Sequence, residues 1–156
     1  MHRAILTTLS AGLLFALPAP AAGQDNPFAQ FGGEKYYSGG SADVTVTGWI
    51  AFDEEIPLTP APSYTSADGQ TWIVYGDETS PAPHVIYTYG DYGYGLSVAR
   101  DGRIAIAEFD MCEGGVEVTA TTVVGEYVCP TVETVDRDTF ALQQVSITIR
   151  FTAQTR

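Results

Sequence analysis

The sequence predicts an all-β domain, an antiparallel β-sandwich of about seven or eight strands. Three observations carry this. From Val44 onward apolar residues recur with a period of two, which is what a strand with one buried face requires. Asp101-Gly102 separates two such alternating runs and supplies the positive φ angles of a two-residue hairpin turn. After residue 23, no stretch shows the 3.6 period with caps that marks a helix.

The chain has 156 residues and a formal net charge of -12. Its opening, Met1-His2-Arg3, then the apolar run Ala4–Leu17, then Pro18-Ala19-Pro20-Ala21-Ala22-Gly23, predicts a signal peptide over 1–23. The apolar run is too short to span a bilayer, and two prolines end it. Clipping it removes Arg3 and leaves six Lys+Arg against 19 Asp+Glu, a charge of about -13. A field of that sign repels phosphate backbones and anionic headgroups, so nucleic acid is not an expected partner. With no other long apolar run, no transmembrane segment is expected in the mature chain, and the location read is secreted or periplasmic. Hydrophobic content of 45% excludes a wholly disordered chain.

Residues 24–42 show no period and are punctuated by Gly32-Gly33 and Gly39-Gly40. They read as a flexible N-terminal segment before a domain at 43–156. Within that domain the first strand runs from Val44 to Phe52, ended by the acidic run Asp53-Glu54-Glu55 and three prolines. A polar loop to Gln70 follows. Trp72–Tyr75 and Val85–Tyr89 are short strands, and Leu96–Arg100 with Arg103–Ala107 form the hairpin. Val116–Val124 is rich in β-branched residues, and Gly125 reads as a divider from Glu126–Cys129. In the last strand Val145, Ile147, Ile149 and Phe151 face inward. Phe140 and Leu142 are out of phase with them, which predicts a bulge near Gln143-Gln144.

Cys112 and Cys129 are an even count in an oxidising compartment, so a disulfide is expected. It would close a loop of about 18 residues and contribute on the order of 3 kcal/mol by the chain-entropy estimate.

The stretch Gly125-Glu126-Tyr127-Val128-Cys129 is similar to the Gly-x-Tyr-x-Cys of the sixth strand of immunoglobulin domains. The resemblance covers five residues and implies an immunoglobulin-like or related sandwich. In that family the partner cysteine lies most of a domain upstream, whereas Cys112 is only 17 positions back. No tryptophan stands where one would pack on such a bridge.

For function, the composition excludes more than it assigns. His84 is the sole histidine after the signal, and no Gly-x-Ser-x-Gly elbow accompanies Ser80 or any other serine. Carboxylate pairs for glycoside hydrolysis are available among Asp53, Glu54, Glu55, Asp77, Glu78, Glu108 and Asp110, but 19 acids make a pair uninformative. No cofactor is expected. Calcium is the metal that suits so many carboxylates, although the Asp-x-Asp-x-Asp-Gly loop is absent. The distinctive local feature is Tyr87-x-Tyr89-Gly-Asp-Tyr92-Gly-Tyr94. Exposed rings stack on sugars or on partner proteins. Tyr87, Tyr89, Tyr92 and Tyr94, with Trp49 opposite the apolar face of its strand, are the candidate ligand-binding residues. The alternative places Tyr87 and Tyr89 in the core.

The expectation is therefore a non-catalytic binding or envelope scaffold module, its partner a carbohydrate or an extracellular protein. A small carboxylate hydrolase is the rival. Another is a self-assembling subunit whose long last strand pairs with a neighbour.

Overall fold

The computed structural model describes residues 26–90, 95–136 and 138–156. Among them are eleven strands: β1 (Lys35–Gly39), β2 (Ser41–Gly48), β3 (Phe52–Pro57), β4 (Tyr64–Thr65), β5 (Thr71–Tyr75), β6 (His84–Tyr89), β7 (Gly95–Arg100), β8 (Arg103–Glu108), β9 (Glu113–Val118), β10 (Thr122–Val135) and β11 (Leu142–Thr155). Two single 3-10 turns, Ala29–Phe31 and Phe109–Met111, are the only helical pieces described. The expected all-β class holds, and every strand pairing is antiparallel.

The strands hydrogen-bond into one continuous eleven-stranded antiparallel network, whose two parts, the first and second sheet, share one core. The first runs β4-β5-β6-β7-β8 and the second β3-β2-β11-β10-β9. β1 stitches them together: Lys35 and Tyr36 pair with β4, while Tyr37 and Gly39 pair with β11. The frame of the second sheet is the β10–β11 hairpin, in register from Thr122↔Gln154 to Val135↔Leu142. β11 has β10 on one side and β2 on the other. The last strand is therefore central, not free to pair with a neighbouring molecule.

Several boundaries differ from the sequence reading, each for a local reason. The segment read as flexible, 24–42, carries β1 and buries Phe28 and Tyr37 at 2% exposure each. The Tyr37 hydroxyl lies 2.8 Å from Thr65 Oγ1, itself 2.9 Å from Thr71 Oγ1, so a chain of buried hydroxyls ties this segment to β4 and β5. The run Val44–Phe52 is split at Gly48, whose φ of +99° turns the chain. A Cβ there would lie 2.3 Å from the Gln144 carbonyl oxygen. The acidic run Asp53–Glu55 falls inside β3, where charge protects an edge strand from pairing with other chains. Gly125 does not divide a strand but sits inside β10; the chain turns instead at Thr119–Thr122, closed by a Thr119 N–H to Thr122 O bond of 2.8 Å. The bulge lies across the hairpin from its expected place. Cys129↔Ile147 is followed by Val132↔Val145, which puts the extra residue at Pro130-Thr131 of β10. Pro130 has no N–H to give a ladder. Phe140 and Leu142 need no phase correction, because both are exposed. The predicted β7–β8 hairpin has the expected turn, with φ of +52° at Asp101 and +75° at Gly102.

The core is aromatic. Tyr87 of β6 lies at its centre, 4.8 Å from the Phe151 ring of β11 and 5.3 Å from Phe109. Phe109 stacks on Tyr127 at 4.8 Å, and Phe28 closes the far side on Tyr89 at 5.3 Å. Such pairs add about 0.5–1.5 kcal/mol each beyond area burial. The Tyr87 and Tyr127 hydroxyls are buried and have no hydrogen-bond partner among the described residues, as is the case for His84 Nδ1.

The disulfide Cys112–Cys129 is present, with its Cα atoms 4.1 Å apart. The β9–β10 register ends at Glu113↔Val128, so the two cysteines face each other across neighbouring chain segments of one sheet. An immunoglobulin bridge joins facing sheets. Here the first sheet is a run of consecutive hairpins, and the second joins β9-β10-β11 to the β2–β3 hairpin through β2 against β11, so the five-residue resemblance does not extend to topology or to the bridge.

Two outcomes follow from this core. A Cβ on Gly125 would lie 2.2 Å from Phe151 Cζ, so Gly125→Ala is expected to destabilise the fold by about 1–3 kcal/mol through overpacking, read from denaturant midpoints. Burial raises the phenols of Tyr75 and Tyr87 far above their ordinary value and pushes Tyr127 up to about 12. The unfolded chain releases these protons from about pH 10 and the folded one does not. Stability is therefore intact below pH 10 and is lost as pH rises toward 12 and beyond. Tyrosinate absorbance and loss of the near-ultraviolet signal should appear together on an alkaline titration.

Candidate functional site

The expected site residues separate. Tyr87 and Tyr89 are buried at 0% and 8% exposure, because alternation along β6 points residues 85, 87 and 89 inward. They hold the core together and offer no ring face to a ligand. Tyr92 and Tyr94 lie outside the described residues. Trp49 does not continue the alternation of β2, since that strand ends at Gly48. It folds back, half-buried, against the core. The Arg103 guanidinium lies 5.3 Å over its ring, and Arg103 donates a 3.2 Å hydrogen bond to the Trp49 carbonyl. One stacking face of Trp49 is thus already occupied. Arg100 donates to the Ala51 carbonyl at 3.1 Å and sits 3.6 Å from Glu54, so both arginines of the β7–β8 hairpin clasp the Trp49–Ala51 turn.

The rings that do face outward come from elsewhere. Tyr36 of β1 pairs directly with Tyr64 of β4, Tyr64 pairs with Trp72 of β5, and Trp72 pairs with Thr88 of β6. Directly opposed residues share a face of the sheet. Each of the three rings neighbours an inward residue, Tyr37, Thr65 and Ile73, that is buried. Tyr36, Tyr64 and Trp72 therefore form a row on the outer face of the first sheet. Exposure falls along it from 63% at Tyr36 through 37% at Tyr64 to the half-buried Trp72. Neighbouring strands lie about 4.8 Å apart, so the row spans roughly 9.6 Å. It continues across Thr88 to Gly95, where no side chain rises above the sheet.

The surrounding face carries almost no charge. By alternation the outward phase of β5 to β8 holds Trp72, Val74, His84, Ile86, Thr88, Gly95, Ser97, Ala99, Ile104, Ile106 and Glu108; Val74, Gly95 and Ala99 are nonetheless buried, and Glu108 at the far corner is the one carboxylate. At the other end the row opens into a groove of about 760 Å³ bounded by Glu34, Tyr36, Ser38, Pro60 and Ala61. There the Tyr36 hydroxyl donates to Glu34 Oε2 at 3.1 Å, and this bond with the carboxylate charge raises the Tyr36 phenol above its ordinary value.

Comparison of the chain with protein-family models, curated proteins and solved structures finds no significant match in any of the three. Function has to be read from the site itself.

Four residues of the catalytic alternatives have local hydrogen-bond or ion-pair partners. Ser80 Oγ accepts an N–H from Ala82 at 3.1 Å. Asp77 Oδ1 accepts from both the backbone and the hydroxyl of Thr79, at 2.9 and 2.7 Å, which holds its carboxyl below the usual range. Glu54 is engaged by Arg100, and Asp53 accepts from Thr45 Oγ1 at 2.8 Å. Among the described residues no group of three or more His, Cys, Asp or Glu is placed to hold a metal ion.

The tip of the β10–β11 hairpin is a separate feature. Phe140 is 82% exposed and has a φ of +58°, a conformation that costs a residue with a Cβ about 1–2 kcal/mol. Asp136 holds the loop by accepting N–H bonds from Asp138 and Thr139 at 2.8 and 3.1 Å. Phe140→Gly removes the strain and little packing, so it is expected to raise the unfolding free energy by about 0.5–1 kcal/mol, measured by chemical denaturation.

Proposed function

We propose that this protein is an exported, non-catalytic binding module whose contact surface is the outer face of its first sheet. The observation that carries this reading is the row Tyr36–Tyr64–Trp72 on a face whose strands carry one carboxylate, Glu108, in a chain of net charge -12. Exposed aromatic rings on a rigid sheet give large contact area at low cost in side-chain entropy. A solvated sheet face is ordinarily polar, so a face this sparse in charge and bearing three rings supports a contact surface.

Export is supported by the amino-terminal sequence pattern and by the disulfide, which suits an oxidising compartment. Among the described residues no helix is long and apolar enough to cross a membrane. The binding role stays with aromatic residues, as the sequence suggested, but moves from Tyr87 and Tyr89 to a face assembled from three strands.

The purified mature chain, screened on a glycan array and against envelope extracts, tests the reading. Binding is expected to weaken about tenfold for Tyr36→Ala or Trp72→Ala, the loss of roughly 1.4 kcal/mol, and to be unchanged for Glu117→Gln on the second sheet. Silence of the wild-type chain on both screens overturns the binding-module reading.

A further inference from the structure

We infer that the groove between β8 and the end of the β10–β11 hairpin is a second docking surface, and that it takes an extended segment of a partner protein in which basic residues alternate with apolar ones. The inference goes beyond the reading above. The row at Tyr36 stands on the β1 side of the first sheet, whereas this groove lies at β8, its opposite edge.

The apolar part comes first. The hairpin outruns its neighbours, since β10 has β9 beside it only as far as Val128 and β11 meets β2 only from Val145 onward. On the projecting end Val135 and Leu142 are direct partners, 46% and 72% exposed. Phe140 follows in the loop, its N–H bonded to the Asp136 carbonyl. Across the groove Ile106 of β8 is exposed as well. The space is about 630 Å³, and Ile106 and Val135 both line it. Large apolar side chains scattered singly over a surface need no explanation, but a group gathered at one end of the molecule does.

Phe140 adds an argument from strain. Its φ of +58° is unfavourable for a residue with a Cβ, and its exposed ring returns little packing in exchange. Strain held at an exposed ring points to contact with something else.

Backbone geometry selects an extended ligand. Alternation from the two-residue turn at Asp101-Gly102 directs the N–H and C=O groups of Ile104 and Ile106 away from β7. Thr134 Oγ1 donates to the Ile104 carbonyl at 2.8 Å, which fixes the hairpin end against β8 and leaves the groups of Ile106 to an added strand.

Charge names the partner. Among the described residues Asp101, Glu133, Asp136 and Asp138 line the groove against one cation, Arg103. Arg103 is committed to Trp49, over its ring and on its carbonyl. Asp136 holds the loop, and Asp101 lies 3.6 Å from Arg100. The carboxylates of Glu133 and Asp138 have no partner among the described residues, and Arg137 lies outside them. An extended segment alternates its side chains, so its apolar ones can meet Ile106 and Val135 while its basic ones meet Glu133 and Asp138. Anionic lipid and a second copy of the chain both bring more negative charge to these acids.

Panning a displayed library of random heptapeptides against the mature chain tests the inference. Selected peptides are expected to carry Lys or Arg at alternate positions, with aliphatic or aromatic residues between. A labelled synthetic copy of the most enriched peptide is then titrated by fluorescence anisotropy at 20 and 500 mM NaCl. Phe140→Gly and Ile106→Ser are each expected to weaken binding about tenfold at both salt concentrations. Glu133→Gln combined with Asp138→Asn is expected to weaken it about tenfold at low salt and less than about twofold at high salt, where charge is screened. Glu117→Gln on β9 is expected to bind as the wild type does. The altered groove residues are all exposed, and circular dichroism confirms that each variant is folded.

Enrichment of peptides without basic residues, or no enrichment, overturns the inference. So does a selected basic peptide whose binding Phe140→Gly and Ile106→Ser leave intact; if Tyr36→Ala abolishes that binding, the peptide belongs to the first-sheet row and the reading above stands without this one. Self-association in sedimentation, or capture by phosphatidylcholine vesicles, that Phe140→Gly removes assigns the hairpin tip to a second copy or to a membrane and overturns the inference too.

Discussion

Everything in this fold depends on the contact between the two sheets at Tyr87 and Phe151. The rings meet at 4.8 Å, one from the middle of β6 and one from the middle of β11. Phe151 lies flat enough against β10 that its direct partner there, Gly125, can carry no side chain. A glycine inside a strand ordinarily weakens it. Here the vacancy above its backbone is filled by the ring from across the ladder, an arrangement known to compensate strand glycines. Phe109, Tyr127 and Tyr75 then pack around the same pair. The β10–β11 hairpin presents this surface, and the first sheet closes over it.

That arrangement determines which aromatic residues remain at the surface. Alternation commits the odd-numbered tyrosines of β5 and β6, Tyr75, Tyr87 and Tyr89, to the interior. Trp72, between inward-facing Thr71 and Ile73, is forced outward by the same rule. β1 follows suit: Tyr37 enters the core and binds Thr65, which turns Tyr36 to solvent. The outer row is thus a consequence of core packing together with strand register. The row is also rigid, because each ring stands on a strand whose opposite face is buried.

The features legible in the sequence were those set by local rules. Asp101-Gly102 fixed its hairpin because only a few residues tolerate its φ angles, and period-two runs such as Val145–Phe151 declared their buried faces. The cysteine pair followed from compartment and count. What was not legible depends on partners distant in sequence. β4 is two residues long and exists only because Tyr64 and Thr65 are held between β1 and β5. Tyr36 looked like part of a loose lead-in and Tyr64 like part of a polar loop, so their adjacency, across 28 positions, had no local signal. The one hint was Trp72 beside inward-facing Ile73. Trp49 misled for a similar reason: reading the alternation through Gly48 assumed an extended glycine, whereas close approach to Gln144 imposes a positive φ.

Charge placement links this architecture to its surface. The strands of the first sheet hold one acid, Glu108, while β2, β3, β9 and β10 of the second hold eight. Solubility needs charge somewhere, but not this division between faces. Edge protection accounts for part of it, since β3 and β9 are the outer strands of the second sheet and carry five of those eight acids. It does not account for the bare first sheet, where an outward Ile106 remains 63% exposed beside Ser97. An apolar face left open costs free energy of hydration and raises the risk of association. The net negative charge of the chain, carried by the second sheet's strands and by the loops, offsets that risk by keeping copies of the chain apart.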